Sequence, residues 1–64
     1  MYPRIRDLRE DHDLSQAQMA KILNVSQSTY SRYESGYLDI PSSVLIALSA
    51  YYQVTTDYIL GLEK

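Results

Sequence analysis

Sixty-four residues allow one domain with a small core, at a size where roughly 60% of the unfolded chain's surface is buried, so close helix packing or dimerisation would help stability. The absence of Cys excludes disulfides and thiolate metal sites, and no apolar run approaches the ~20 residues that cross a bilayer. A net charge of −2 and a pI near 5.0 exclude a polybasic nucleic-acid tail.

The opening MYPRIRDLRED lacks the apolar centre of a signal peptide, so a cytoplasmic location is expected. Charge is unevenly spread. From Met1 to Asp13 three Arg face four acids (−1); from Leu14 to Leu38 Lys21 and Arg32 face Glu34 (+1); from Asp39 to Lys64 one Lys faces three acids (−2). The only positive segment is the central one.

In chain order, Pro3 suits the first position of a helix, and Ile5, Leu8 and His12 follow at i, i+3 and i+7, predicting helix 1 over 3–12. Arg9 lies beside that apolar stripe, whereas Arg4, Arg6, Asp7, Glu10 and Asp11 occupy a solvated face. Asp13 and Leu14 connect to the next helix. Ser15 and Gln18 have the S-x-x-Q form of a capping box. Met19, Ile22 and Leu23 form the apolar face of helix 2, Ala20 permits close approach of a neighbour, and Asn24 ends the helix in the left-handed conformation. Val25 plugs the core from the turn, and Ser26 caps helix 3.

Helix 3, predicted over 27–35, divides cleanly on a helical wheel. With Gln27 at zero and ~100° per residue, Tyr30 and Tyr33 fall near about 300° and 240°, while Gln27, Ser31, Ser35, Ser28 and Arg32 fall between zero and about 140°. One face is aromatic and the other wholly polar, with hydrogen-bonding side chains suited to base edges and phosphates and no acid at its centre. A plain solvated face is the alternative. Gly36 closes the helix. Tyr37 to Ile40 form a loop, and Pro41, Ser42 and Ser43 open helix 4, which runs to Tyr52 with Leu45, Leu48 and Tyr52 as its stripe. Val44, Ile46, Ala47, Ala50 and Tyr51 widen that stripe, as expected of a central helix or a subunit contact. Thr55 or Thr56 caps a last helix, Asp57 to Leu60, whose Ile59 and Leu60 return to the core before Gly61. The expected fold is all-α, with five helices in one compact unit.

The run from Leu14 to Gly36, LSQAQMAKILNVSQSTYSRYESG, resembles the helix-turn-helix of the phage-repressor-like family, the Cro/C1-type or XRE DNA-binding domains. The matching features are LSQ opening helix 2, Met19-Ala20, Leu23-Asn24-Val25-Ser26-Gln27 across the turn, and Tyr30-Ser31-Arg32-Tyr33-Glu34-Ser35-Gly36. Ile5, Leu8 and Arg9 before it, and Leu45, Leu48, Tyr52, Val54, Asp57 and Leu60-Gly61 after it, extend the match over nearly the whole chain. The resemblance implies a lambda-repressor-like domain over residues 1–64, with its helix-turn-helix at 15–35.

It also implies a sequence-specific, double-stranded-DNA-binding transcriptional regulator of the repressor kind, reading the major groove with helix 3 and requiring no cofactor or metal. Gln16 would hydrogen-bond a phosphate and brace the first reading residue; Gln27, Ser28, Ser31 and Arg32 would face the groove. Arg9 and Glu34 would form a structural ion pair between helices 1 and 3. Ser42 and Ser43, at the start of helix 4, would meet phosphate. Ile46, Tyr51 and Tyr58 would supply a homodimer contact through the last two helices, and hence a palindromic operator.

Several residues depart from the family pattern. Where many relatives carry Lys or Arg after helix 3, this chain has Tyr37, Leu38, Asp39 and Ile40. Asp39 repels phosphate and Tyr37 offers one neutral hydrogen bond, so modest binding with a shallow salt dependence is expected. Tyr30 replaces a small aliphatic residue; it and Tyr33 are expected in the core with hydroxyls reaching the domain edge. The sequence stops after the last helix, so no sensor domain is expected.

An enzyme fits poorly. His12, the only His, lies between Asp11 and Asp13 at a helix end and reads as solvated or capping. There is no Gly-rich phosphate loop. The competing reading is a protein-interaction module of the same fold, which suits the acidic net charge and the apolar loop at 37–40.

Overall fold

The computed structural model describes residues 3–62. Among them the chain forms five α-helices and no strand: α1 (Pro3–Asp11), α2 (Gln16–Leu23), α3 (Gln27–Ser35), α4 (Ser42–Tyr52) and α5 (Thr56–Leu60). No described helix is long and apolar enough to cross a membrane.

The local signals at the helix ends act as their chemistry requires. Ser15 Oγ accepts the Gln18 N–H at 3.1 Å while Gln18 Oε1 accepts the Ser15 N–H at 2.8 Å, a complete capping box. Asn24 adopts φ 60°, ψ 43°, and its N–H reaches the Ala20 and Lys21 carbonyls. Ser26 accepts from the Thr29 N–H at 3.1 Å, and Thr55 rather than Thr56 caps α5, accepting from Tyr58 at 3.0 Å. Gly36 ends α3 with φ 83°, where a side chain would be strained.

Three boundaries differ from expectation, α5 beginning at Thr56 rather than Asp57. Helix α1 stops at Asp11, one residue early, and Asp13 turns left-handed at φ 56° to redirect the chain. Pro41 sits at the N-cap of α4 in an extended conformation, with ψ 153°, so Ser42 is the first helical residue and no side chain caps this end.

The core contains Ile5, Met19, Ala20, Tyr30, Tyr33, Val44, Leu48, Tyr52 and Ile59. Helix α2 packs on α3 and α4, α4 on α5, and α1 on α3 and α5. Along α4 the buried stripe is Val44, Leu48 and Tyr52, at i, i+4 and i+8; Leu45 is only half-buried, unlike the expected Leu45 stripe. Ile22 is also a correction: it is 44% exposed and lies outside the core that Met19 and Ala20 of α2 enter. Leu60 is 37% exposed. Adjacent residues on a one-turn helix point ~100° apart, so Ile59 takes the core and Leu60 does not.

The tyrosines meet the core differently. Tyr52 Oη donates to Met19 Sδ at 3.1 Å, and its ring lies against His12 at 4.9 Å between centroids. His12 Nδ1 pairs with the Leu8 carbonyl at 2.8 Å, closing the end of α1. Tyr30 corrects the expectation that its hydroxyl reaches the edge. The residue is fully buried, and its Oη meets no partner at hydrogen-bonding geometry among the described residues.

Candidate nucleic-acid interface

Helix α3 is fixed from behind by Tyr30, Tyr33 and Glu34, all buried. Glu34 receives two bonds from Arg9, Nε at 2.6 Å and Nη2 at 3.2 Å, and a third from Gln16 Nε2 at 3.2 Å. Arg9 Nη1 also donates to the Leu14 carbonyl at 2.8 Å. Through Arg9 and Gln16, one carboxylate thereby ties α1, the α1–α2 connection and the start of α2 to α3.

The electrostatics follow from that packing. Burial pushes the Glu34 carboxyl up, but the polar groups gathered around it, Arg9 first and then the Tyr30 hydroxyl and Gln16, outweigh it and hold the group below its ordinary value. The bond to Glu34 holds the Arg9 guanidinium above its own. Tyr30 is pushed well above the usual phenol range, first by burial and then by the nearby Glu34 carboxylate.

With its inner side locked, α3 turns Gln27, Ser28, Arg32 and Ser35 outward, all exposed, and leaves Ser31 half-exposed. Ser28 Oγ lies 3.2 Å from Ser26 Oγ, and Ser35 Oγ donates to the Arg32 carbonyl at 3.2 Å. The Arg32 guanidinium stands over the Tyr37 ring, 5.6 Å from its centroid. Tyr37 itself is 77% exposed. This aromatic support goes beyond the single neutral hydrogen bond expected of Tyr37; Arg and Tyr five positions apart across a helix-ending Gly is the signal that suggests it.

Gln16 is placed at the rim of this face, but its amide turns to Glu34, so the group it braces is a carboxylate on α3. Gln16, Ser31 and Ser35 line an open cleft together with Arg6, Arg9 and Glu34. Arg6 is exposed, as a solvated face requires, yet it also lines this cleft; its position three residues before Arg9, on the same flank of α1, is the signal that places it here. Ser42 stands apart at the exposed start of α4, joined to the α3 face by no hydrogen bond or ion pair among the described residues. Among the described residues no group of His, Asp and Glu is arranged to hold a metal.

Two short helices at this geometry, with a left-handed Asn between them and a polar outer face on the second, form a helix-turn-helix. A family model described as helix-turn-helix matches residues 5–59. The chain belongs to that family. The helix-turn-helix is of the XRE type, and the five-helix arrangement is the lambda-repressor-like fold.

The XRE-type domain is 39% identical over 59 residues to the uncharacterized HTH-type transcriptional regulator YobD of Bacillus subtilis (strain 168), an alignment covering 92% of this chain and 53% of that protein. It is 34% identical over 61 residues to the HTH-type transcriptional regulator ImmR of the same organism, covering 95% and 48%. It is 32% identical over 60 residues to the antitoxin PezA of Streptococcus pneumoniae serotype 4, covering 94% and 38%. The chain thus spans about half the length, or less, of these curated relatives. No solved structure matches it at a significant level.

Proposed function

We propose that this helix-turn-helix domain is a sequence-specific double-stranded-DNA-binding transcriptional regulator, acting as a repressor, that lays α3 in the major groove. The observation that carries this reading is the division of α3: Tyr30, Tyr33 and Glu34 are buried, while Gln27, Ser28 and Arg32 are exposed. Gln27 presents donor and acceptor to adenine, and Arg32 makes a bidentate contact to guanine or grips a phosphate. Ser28 and Ser31 are short and pair with several bases. Gln16 and the uncapped start of α4 at Ser42 meet phosphates, and the Tyr37 hydroxyl offers one more donor.

Two copies would read a palindromic site, with recognition helices ~34 Å apart. Ile46 and Tyr51 are the exposed large apolar residues of α4 that suit the contact between them. Tyr58 is less available, since it lies half-buried under the Arg4 guanidinium, 4.3 Å from its centroid.

Selection from random duplex DNA at near-physiological salt tests the proposal. An enriched half-site is expected, lost on exchanging Gln27 and Arg32 for Ala. A selection that enriches nothing, alongside a captured protein partner whose binding survives both substitutions, supports instead a protein-interaction module of the same fold.

A further inference from the structure

We propose that the cleft where α1 meets the helix-turn-helix seats a backbone phosphate of the bound duplex, with Arg6 as the cation that holds it; the proposal rests on the DNA-binding reading above. The cleft is lined by Arg6, Arg9, Gln16, Ser31, Glu34 and Ser35. Ser31 and Ser35 belong to the polar arc of α3, so the opening lies along the flank of the surface that enters the groove. A strand beside the groove would pass it.

The two arginines are not equivalent. Arg9 spends its charge on Glu34 at 2.6 and 3.2 Å, with side-chain exposure of 13% for Arg9 and 5% for Glu34. Arg6 is 65% exposed, and its Nε bonds Glu10 Oε1 at 3.2 Å. Its two terminal nitrogens make no hydrogen bond among the described residues, leaving a guanidinium that can shift toward an anion. Such an exposed pair gains little from its own attraction, so Glu10 is easily displaced.

Arg6 and Arg9 are balanced here by Glu10 and Glu34, so a free small anion gains little by entering. A phosphate delivered by a docked duplex is different, because the contacts of α3 already place it. Gln16 Nε2, through the proton not given to Glu34, and the Ser31 hydroxyl then supply the neutral hydrogen bonds that a phosphate oxygen accepts.

The test compares two single-charge losses on the same helix. Arg4 lies two residues, or ~200°, around α1 from Arg6 and is held at α5, with Nη1 on the Tyr58 carbonyl at 3.3 Å. Binding of the full chain to a random-sequence duplex and to a selected duplex is followed by fluorescence anisotropy at several salt concentrations, with folding checked by circular dichroism.

R6A should weaken binding about three- to ten-fold near physiological salt and flatten the slope of log K against log salt by about 0.9, equally on both duplexes. R4Q should change the slope by less than half as much. E10Q should tighten binding by releasing Arg6, and this gain should vanish in the R6A background, a coupling that net charge alone does not produce. Equal slope changes for R6A and R4Q, or an E10Q gain that persists in the R6A background, overturn the phosphate seat while leaving the DNA-binding reading intact. Failure of the unmodified chain to bind either duplex overturns both.

Discussion

Arg9 and Glu34, 25 positions apart, form a two-pronged ion pair that is almost wholly withdrawn from water. Its contribution is chiefly orientation, because taking both charges out of water offsets much of their attraction. Breaking it from one side is another matter. R9M strands the Glu34 carboxylate in the interior and should cost about 3–5 kcal/mol, a large share of the stability of a 64-residue domain. The double variant R9M/E34M should recover most of that loss. Urea midpoints at neutral pH decide: a loss under about 1 kcal/mol for R9M would mean that the pair is effectively solvated.

The same pair sets the acid limb of stability. Burial raises the Glu34 carboxyl, but Arg9 first, then the Tyr30 hydroxyl and Gln16, lower it further, so its folded pKa lies below the ordinary 4.5. The folded state then binds fewer protons than the unfolded one. The stability from Glu34 is therefore complete above pH 4.5 and is lost as pH falls through the folded pKa. E34Q should be less stable at neutral pH and should show a flatter decline below 4.5, measured by chemical denaturation as a function of pH. An unchanged acid limb in E34Q would assign acid unfolding to other carboxylates.

An alkaline limb follows from the tyrosines with the opposite sign. Burial raises Tyr52 from 10.0 to about 12, and Tyr30 moves the same way. A raised folded pKa contributes stability that is complete below pH 10 and is lost as pH rises through about 12. Y52F removes one such proton and should make the loss shallower by up to about 1.4 kcal/mol per pH unit. Phenolate absorbance against pH, read beside the unfolding curve, reports whether tyrosine ionisation and unfolding coincide.

What could be read in advance was mostly local. A capping box, an Asn or Gly able to turn left-handed and a Ser before an apolar run are each satisfied within four residues, so Ser15, Asn24 and Ser26 behave as their side chains dictate and Gly36 as its missing Cβ allows. The Arg9–Glu34 pair was also expected, though only through family resemblance. What escaped depends on neighbours distant in sequence. Helical period marks an apolar face but does not say how much of it another helix covers, hence the exposure of Ile22 and Leu60 and the Val44 stripe of α4. Polar side chains chose partners that no spacing rule names, as Gln16 did with Glu34 and Arg32 with Tyr37.

The Arg32–Tyr37 contact separates two roles for Tyr37. If the ring holds the guanidinium in place for reading, Y37F should bind DNA like the unmodified chain, because the ring face is retained. Y37A should weaken binding about two- to five-fold, the equivalent of roughly 0.5–1 kcal/mol for an exposed cation–π contact. Equal losses in both variants would assign the effect to the hydroxyl and hence to a phosphate bond. Titrations on one selected duplex at fixed salt suffice to tell these apart.

Tyr30 offers the sharpest test of the core. Its ring fills the centre of the domain, while its hydroxyl is withdrawn from water beside the Glu34 carboxylate without a bond of normal geometry. A buried hydroxyl left unpaired costs about 1–3 kcal/mol, whereas the ring contributes through area that Phe reproduces. Y30F should therefore be as stable as the unmodified chain or more stable by about 1 kcal/mol. It should also leave the Arg9–Glu34 pair undisturbed, since the bonds from Arg9 and Gln16 to the carboxylate persist. If Y30F instead loses more than about 1 kcal/mol, with Glu34 titrating at higher pH, the hydroxyl must donate to the carboxylate in solution. Thermal unfolding of Y30F and E34Q, singly and together, distinguishes the outcomes, because a donated bond couples the two sites and an unpaired hydroxyl leaves them additive.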